Sequence, residues 1–253
     1  MRPGQARSLW FASLLLSAAL APGGPPAPIF EAGSPIVDVC WSPDEERLFL
    51  LCANLPHLVI VSEGEMTGSA DLMEVPVPGG MARIPGGGYY VSDPVGDRIL
   101  RYDSEGGLLE EIPLDGRPTA IALQGIGLWC LLADQGMVVD AELPDFGLVD
   151  LEPCRIGRLA CWRGSGLACC DGAAWLFSPG EPPEKVHSGG AVDAASWARG
   201  FVLLLEGEES QLLFLPQDSL VGTGISGLSG VAVSPSGRIA AVCGAGNSLT
   251  VLP

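Results

Sequence analysis

A pair of strand-like segments recurs along the sequence, and this repeat restricts the possible folds more than any other feature. The first set ends with residues spaced 37 to 41 positions apart and comprises 58–62, 98–103, 137–141, 174–178, 212–216 and 249–253. The second set precedes it at a similar offset and comprises 47–52, 88–93, 127–134, 166–171, 200–206 and 237–244. Six copies of both sets in the same order indicate a repeat architecture.

The second copy shows how one repeat is built. Four short strands at 81–85, 88–93, 98–103 and 108–113 are separated by turns rich in glycine and proline. Strands of this length, with alternating polarity and such turns, are typical of propeller blades. The competing fold for this period, a helical solenoid, needs long segments with helical periodicity and without Gly or Pro. The sequence therefore predicts an all-β, six-bladed β-propeller of four-stranded blades over residues 28–253.

One segment resembles a known repeat family. The run from Gly88 to Gly107 reads GYYVSDPVGDRILRYDSEGG, and DGRP follows at 115–118. This pattern resembles the NHL repeat and its YVTN-type relatives, and the resemblance is carried by residues 88–118. It implies a propeller and no particular activity. The acid that ends the second strand recurs in other copies, as Asp93, Asp134, Asp171 and Glu206. We interpret these acids as caps of their own turns.

The two ends of the repeat region are ragged in a complementary way. The sixth copy runs out after its third strand, at 249–253, and an additional strand-like segment at 28–32 precedes the first copy. A propeller has to join its last blade to its first, because an open edge strand pairs with other chains. We therefore expect residues 28–32 to complete the last blade. The alternative is a loose N-terminal tail.

The N-terminus has the layout of a secretory signal peptide. Arg2 and Arg7 precede an apolar run at 9–21 that is too short for a comfortable transmembrane span. The sequence predicts a signal peptide at 1–21, a Pro/Gly spacer at 22–27 and export to a periplasmic or extracellular space. The alternative is that the run persists as an uncleaved anchor. After cleavage we expect no stable membrane span.

The charge of the chain excludes one class of partner. The net charge is −17, and Lys185 is the one lysine. Nucleic-acid affinity depends on the neutralisation of phosphates by Lys and Arg, so a nucleic-acid partner is disfavoured. The acidity itself is explained by solubility, since self-repulsion keeps an apolar chain dispersed.

The residues that usually perform catalysis are sparse. The two histidines, His57 and His187, lie in different copies, in segments that we expect to be exposed. The eight cysteines show no Cys-x-x-Cys spacing, so we predict no cysteine metal site. With so few histidines, we also predict no catalytic residue and no cofactor. Most cysteines lie in apolar strands, where they act as small hydrophobes. Cys161 and Cys169 flank a turn and form the best candidate disulfide.

Charged residues within the innermost strands are the best candidates for a binding site. In a propeller these strands line the central channel, and the charged residues assigned to them are Asp38, Arg83, Arg158 and Asp193. Two acids and two arginines suit a small polar ligand better than Ca²⁺. The default for such residues is a solvated channel without function. The tryptophans that end first strands are expected to pack between blades, and they are Trp41, Trp162 and Trp197.

These observations favour an exported, non-catalytic propeller that binds a protein or a small polar ligand. The alternative in the enzyme class is a metal-dependent lactonase, since propellers of that type hold a metal in the channel. A third possibility is a subunit of an envelope assembly. Fold alone does not decide between them.

Overall fold

The computed structural model describes residues 27–155, 157–243 and 247–252, and these residues contain strands, turns and loops but no helix. Three successive four-stranded antiparallel sheets come first. Sheet 1 comprises β2 (Ile36–Trp41), β3 (Leu48–Cys52), β4 (Leu58–Ser62) and β5 (Glu65–Ala70). Sheet 2 comprises β6 (Met81–Arg83), β7 (Tyr89–Asp93), β8 (Arg98–Tyr102) and β9 (Leu108–Pro113). Sheet 3 comprises β10 (Pro118–Gln124), β11 (Gly127–Leu132), β12 (Met137–Asp140) and β13 (Leu143–Asp150).

Two further sheets complete the described part of the chain. Sheet 4 has seven strands: β14 (Gly157–Trp162), β15 (Ser165–Cys170), β16 (Gly172–Phe177), β17 (Glu184–Trp197), β18 (Gly200–Leu205), β19 (Gln211–Leu215) and β20 (Ser219–Gly222). Sheet 5 comprises β21 (Leu228–Val233), β22 (Ile239–Cys243), β23 (Ser248–Leu252) and the N-terminal β1 (Phe30–Glu31). The expectation of six separate four-stranded sheets is therefore wrong, because strands predicted for two blades belong to one sheet.

Strand β17 is the reason for the seven-stranded sheet. Its first part pairs with β16, from Glu184 to Ala191, and its second part pairs with β18, from Ala191 to Trp197. Glycines occupy positions 189 and 190, and Gly190 has a positive φ of 77°. This freedom lets the strand change direction and pass from one pairing partner to the other.

The first strands of the sheets enclose a central cavity. Within the described residues β2, β6, β10, β14, β17 and β21 contact one another in that order, and β21 returns to β2. Each of these strands contributes residues to the cavity wall. The arrangement is therefore propeller-like, with the sheets set around one axis.

Apolar layers between neighbouring sheets hold this arrangement together. Sheet 1 meets sheet 2 through a cluster that includes the fully buried Leu51, Leu72 and Leu100. A comparable cluster lies inside sheet 4, where Leu167 of β15 packs with Leu203 of β18. Burial of such a leucine stabilises the fold by about 1.5 to 3 kcal/mol. Sheet 4 is thus continuous in its hydrogen bonds and yet folded onto itself.

The N-terminal strand closes the ring, as the ragged ends of the repeat predicted. In β1, Phe30 pairs with Leu249 of β23, and the Ile29 amide donates to the Leu249 carbonyl at 2.8 Å. The Ala32 amide donates to the Asn247 carbonyl at the same distance. The segments predicted as signal peptide and spacer, 1–21 and 22–27, lie outside the described residues except for position 27.

The recurrent acids have structural roles that differ from one sheet to the next. Asp93 caps its own turn as expected, since it accepts from the Val95 and Gly96 amides and from Arg98 Nε at 3.0 Å. Asp134 instead accepts from the backbone amide of Arg117, 17 positions earlier. Asp171 does the same with Arg155. These two carboxylates therefore fix the segment that enters the sheet, which a local turn pattern does not reveal.

The three tryptophans pack against neighbouring strands as expected. Each ends a first strand, namely β2, β14 or β17. Trp162 meets the Phe201 ring edge-on at 6.4 Å, and Trp197 meets the Phe214 ring at 5.5 Å. Trp41 lies beneath the guanidinium of Arg238, at 4.6 Å. Packing between sheet layers accounts for all three residues.

Removal of the closing strand is expected to destabilise the protein. Deletion of residues 28–33 exposes the edge of β23, and Phe30→Ala removes a half-buried ring from the layer between sheets 1 and 5. Loss of the Phe30 ring lowers the free energy of unfolding by about 2 kcal/mol, which corresponds to a fall in Tm of about 5 °C. Thermal unfolding followed by circular dichroism measures the Tm of each variant. Leu109→Ala, on the exposed strand β9, is the control and should leave Tm unchanged. An unaltered melting curve for the deletion would mean that β1 does not close the ring.

Candidate functional site

Six positions of the first strands are equivalent in the backbone pairing, and we call them the inner ring. Each lies opposite the penultimate residue of the second strand in its sheet or half-sheet, as the backbone pairing shows. In chain order the inner ring consists of Asp38, Gly80, Ala120, Arg158, Asp193 and Gly230. Three of the four residues predicted from the sequence therefore lie at one level, and the remaining three members are small.

Asp38 joins sheet 1 to sheet 2. One carboxylate oxygen, Oδ1, accepts from the amide of Val39 at 2.8 Å, and Oδ2 accepts from the amide of Met81 at 2.7 Å. Its neighbour in the inner ring is Gly80, which packs closely against the backbone of Ala120. A methyl group there would lie 3.3 Å from the Ala120 Cα and 3.5 Å from Asp38 Oδ2. Burial raises the pKa of Asp38, and Arg158 and the two amides oppose that rise.

Asp193 has the same role between sheets 4 and 5. Its Oδ1 accepts from the Ala194 amide and its Oδ2 from the Val231 amide, both at 2.8 Å. The next position in the inner ring is again glycine, Gly230. Both aspartates follow a bulge in the first strand, at Val37 or at Val192, so the same local irregularity aims both carboxylates at the next sheet.

The charge state of Asp193 is sensitive to pH near neutrality. Only 5% of the residue is exposed, and burial raises the pKa of its carboxyl group to about 7. Arg158 lowers this pKa, while the nearby Asp38 raises it further. The two acids therefore influence each other across the cavity, and the proton on Asp193 is partly retained at pH 7.

Arg158 crosses the cavity and compensates the two acids. Its Nε lies 3.8 Å from Asp193 Oδ1, and its Nη2 donates to the carbonyl of Val37 at 3.1 Å. The side chain thus starts in sheet 4 and ends on sheet 1. Because a buried carboxylate without a counter-charge is costly, this arginine stabilises the ionised acids.

Arg83 differs from the other three predicted residues. It ends β6, three residues beyond Gly80, so it lies nearer the hairpin turns than the inner ring does. Its guanidinium carbon is 4.4 Å from the centre of the Phe49 ring. Its Nη1 atom is buried and has no hydrogen-bond partner. Among the described residues Arg101 Nε and Arg117 Nε are also buried without a partner, but only Arg83 of these three arginines lines the cavity.

The cavity between the inner ring and the hairpin turns is a small funnel. Its volume is about 390 Å³, and the wall extends to the turn residues Ser42, Pro85 and Pro235. Five first strands contribute alanines to a wall of mixed polarity, and they are Ala82, Ala120, Ala122, Ala160, Ala194, Ala195 and Ala232. A small cavity that combines apolar residues with a few charged groups is the usual form of a small-molecule site.

Sequence reasoning missed Cys40, which lines the funnel between Asp38 and Arg83. Burial raises the pKa of its thiol to about 12, with a further rise from Asp38 and an opposing effect of Arg83. A thiol with this pKa stays protonated at neutral pH and is a poor nucleophile. Its position in an apolar strand gave no signal that would separate it from the other cysteines.

Two sequence interpretations need correction here. Cys161 and Cys169 are not cross-strand neighbours, because Cys161 pairs with Gly166 while Cys169 pairs with Arg158. Their side chains belong to different apolar layers, on opposite faces of sheet 4. His57 is buried instead of exposed, with 6% of its surface accessible. Among the described residues, no three His, Cys, Asp or Glu side chains are grouped so that they could hold a metal ion.

The pKa of Asp193 makes the stability of the protein depend on pH. This value of about 7 lies above the ordinary 3.8, so the folded chain binds the proton more tightly than the unfolded chain. The contribution is complete below about pH 4 and is lost as the pH rises to about 7. We expect Asp193→Asn to flatten the fall in Tm between these values, as measured by scanning calorimetry. Glu65→Gln, on the exposed strand β5, should keep the wild-type slope. Equal slopes for the wild type and Asp193→Asn would assign the dependence to other groups.

Comparison with known proteins supports the fold and nothing finer. No protein-family profile matches the chain, and no curated protein sequence matches it. The chain is similar to the solved structure of the RRP9 WD40 repeats, with a TM-score of 0.67 and 11% identity over 91% of this chain and 99% of that one. It is also similar to U3-55K, with a TM-score of 0.62 and 13% identity over 91% and 100%. A third similar structure is streptogramin B lyase, with a TM-score of 0.60 and 10% identity over 88% and 96%. At these identities the likeness establishes a propeller-type fold.

No described helix has the length and apolar character to cross a membrane.

Proposed function

We propose that this protein is an exported, non-catalytic β-propeller that binds a small carboxylate in its central funnel. In this proposal the propeller has six packing units, and the two halves of sheet 4 act as separate blades that share β17. Two observations support the count: six first strands surround the cavity within the described residues, and an apolar layer separates the halves of sheet 4. The proposal also includes that residues 88–118 form an NHL-like repeat.

The observation that carries the ligand proposal is the unpaired Nη1 of Arg83. The other charged residues of the funnel already have partners: both aspartates accept from backbone amides, and Arg158 contacts Asp193 and Val37. Arg83 alone among these four has a buried donor without an acceptor. The Nη1 atom is closed to solvent in this structure, so an anion would reach it after the guanidinium turns toward the funnel, and the anion would then supply the missing acceptor.

The surroundings define the chemistry of that anion. The volume is small and alanines form part of the wall, so the ligand should be compact, with an apolar part beside its anionic group. Arg158 already compensates the two acids, so Arg83 is left to match one negative charge and a dianion is disfavoured. A monocarboxylate whose carboxyl group faces Arg83 and whose body contacts the alanine wall satisfies all of these conditions. In this proposal the two aspartates join the sheets through backbone amides, and Arg83 and the alanines of the wall bind and orient the ligand.

Benzoate provides a direct test. We expect the purified protein to bind benzoate in calorimetric titrations and to show no detectable binding of benzamide, which has the same shape but no charge. Arg83→Gln should weaken benzoate binding by about 10- to 100-fold, the usual effect of the loss of a charged hydrogen bond. Arg83→Lys retains the positive charge and should bind with intermediate strength.

The control for this experiment is Arg47→Gln. Arg47 is 44% exposed and pairs with Asp44 outside the funnel, so its loss should leave benzoate binding unchanged. Equal binding of benzoate and benzamide, or equal weakening by both glutamine variants, would contradict the proposal. Melting curves for each variant establish that the folded protein is being titrated.

Protein binding is the second candidate function. The loops that follow β3, β5 and β7 emerge at the same end of sheets 1 and 2, and each exposes apolar side chains: Leu55, Met73, Val77 and Val95. The β5–β6 loop is anchored by the buried Leu72 and Val75. A fixed loop that presents apolar side chains to solvent favours contact with another protein. The charge of the chain argues against a nucleic-acid partner on this face.

Export is the remaining part of the proposal, and the basic and apolar N-terminal segments support it. We expect residues 1–27, fused to alkaline phosphatase and expressed in a bacterial host, to give active enzyme, because that reporter requires an oxidising compartment. Leu15→Arg interrupts the apolar run and should abolish the activity. Activity that survives this substitution would show that the segment is not the export signal.

A further inference from the structure

Two buried cysteines lie side by side at the junction between sheets 3 and 4. Cys154 belongs to the segment that leads from β13 into β14, and Cys170 is the last residue of β15. Both side chains are part of the same apolar layer, and 7% and 5% of the two residues are exposed. Both thiols are free in this structure.

The backbone around the two cysteines fixes their proximity. The Arg155 amide donates to the Asp171 carboxylate, at 3.1 Å to Oδ1 and 3.2 Å to Oδ2. Cys170 itself pairs with Gly157 in the β14–β15 ladder. The residues that follow both cysteines are therefore bonded to each other, and the two thiols lie close enough to affect each other's pKa.

We propose that Cys154 and Cys170 form a disulfide by exchange with a disulfide donor outside the cytoplasm. The donor belongs to the chemical class of small or protein disulfides, such as oxidised glutathione or a thiol–disulfide oxidoreductase. The compartment rests on the export part of the proposed function, whereas the chemistry of the pair depends on this chain alone.

The surroundings set the order of the reaction. A hydrogen bond with Cys170 and the nearby Arg117 lower the pKa of Cys154, although burial opposes this effect. The shared hydrogen bond and burial raise the pKa of Cys170. Cys154 is therefore the first nucleophile, because it loses its proton more readily than Cys170.

The exchange balances in two steps. The Cys154 thiolate attacks one sulfur of the donor disulfide, so that a mixed disulfide forms and one donor thiolate leaves. Cys170 then gives up its proton and attacks the Cys154 sulfur, which forms the internal S–S bond and releases the second donor thiolate. The two cysteines lose two electrons and two protons in total, and the donor gains both.

The other described cysteines with buried thiols lack such a neighbour. Cys161 and Cys169 lie on opposite faces of sheet 4, and Cys130 belongs to the layer between sheets 2 and 3. Burial raises the pKa of all three thiols. They act as small hydrophobes in apolar layers, so exchange should select one pair.

The link would hold one junction of the ring. It ties the segment that enters β14 to the end of β15, where Arg117 already donates to the carbonyl of Cys154 at 3.4 Å. The closed loop runs from 154 to 170, and its closure restricts the unfolded chain. We therefore expect the oxidised protein to melt at a higher temperature than the reduced protein.

The test uses the full chain. The reduced protein is refolded from urea in a glutathione redox buffer, free thiols are alkylated, and non-reducing tryptic peptides are analysed by mass spectrometry. The tryptic peptide that contains Cys154 also contains Cys130, and the peptide with Cys170 also contains Cys169. We expect these two peptides to be linked. Cys154→Ala and Cys170→Ala should each abolish the link, while Cys130→Ala and Cys169→Ala should keep it.

The outcomes separate this inference from the proposal of export. A link that survives Cys154→Ala, or full alkylation of a correctly refolded chain, overturns the assignment. If a variant does not refold, the folded wild-type protein is treated with oxidised glutathione instead, and a rise in Tm that dithiothreitol reverses supports the pair. A link in vitro together with an inactive export reporter would refute export alone.

Discussion

The ring depends on how the backbone amides that face the central cavity are satisfied. The Met81 amide in the first strand of sheet 2 and the Val231 amide in the first strand of sheet 5 each face the first strand of the preceding sheet. An unpaired buried amide costs about 1 to 3 kcal/mol. Asp38 and Asp193 supply the acceptors from the preceding sheet, so the polar side chains of the cavity first serve to join sheets. A glycine follows each aspartate in the inner ring and lies beside its carboxylate.

This solution has an electrostatic cost that the same residues limit. Each carboxylate is desolvated, which raises its pKa, and each therefore needs donors or a counter-charge. Two amides reach each acid, and Arg158 lies between the acids as the shared cation. These three side chains form a satisfied structural set. Arg83 lies outside this set, and for that reason ligand binding is assigned to it and not to the more conspicuous acids.

Much of this organisation is readable from the sequence because it depends on local periodicity. The repeat of segments predicted the strands, and the ragged ends predicted the pairing of Phe30 with Leu249. The four charged residues within apolar first strands were predicted to line one channel, and all four lie in the wall of one cavity. The bonds that determine their roles could not be predicted, because Asp38 reaches Met81 across 43 positions and Arg158 reaches Val37 across 121.

The errors have equally specific causes. Six separate four-stranded sheets were predicted, but glycines 189 and 190 permit a bent continuous strand, and the pairing of β17 on both sides joins two predicted blades into one sheet. Cys161 and Cys169 appeared to be opposite each other across a turn, yet the register places different residues opposite each of them. Cys161 lies opposite Gly166, and Cys169 is three positions further along the strand, so its side chain lies on the other face of the sheet. Turn position alone is therefore too weak to pair cysteines.

The junctions of the ring differ in how they are held, and this difference bears on its rigidity. The halves of sheet 4 share one strand, so they cannot separate without the loss of ladder hydrogen bonds. Sheets 3 and 4 are joined by a segment that is fixed mainly through Arg117, Asp171 and an apolar layer. Sheets 5 and 1 are held by an apolar layer and by the two-residue strand β1, which pairs with sheet 5. A covalent link at Cys154 and Cys170 would strengthen a junction that has no shared strand. The closing strand would then remain the part of the ring most open to local unfolding.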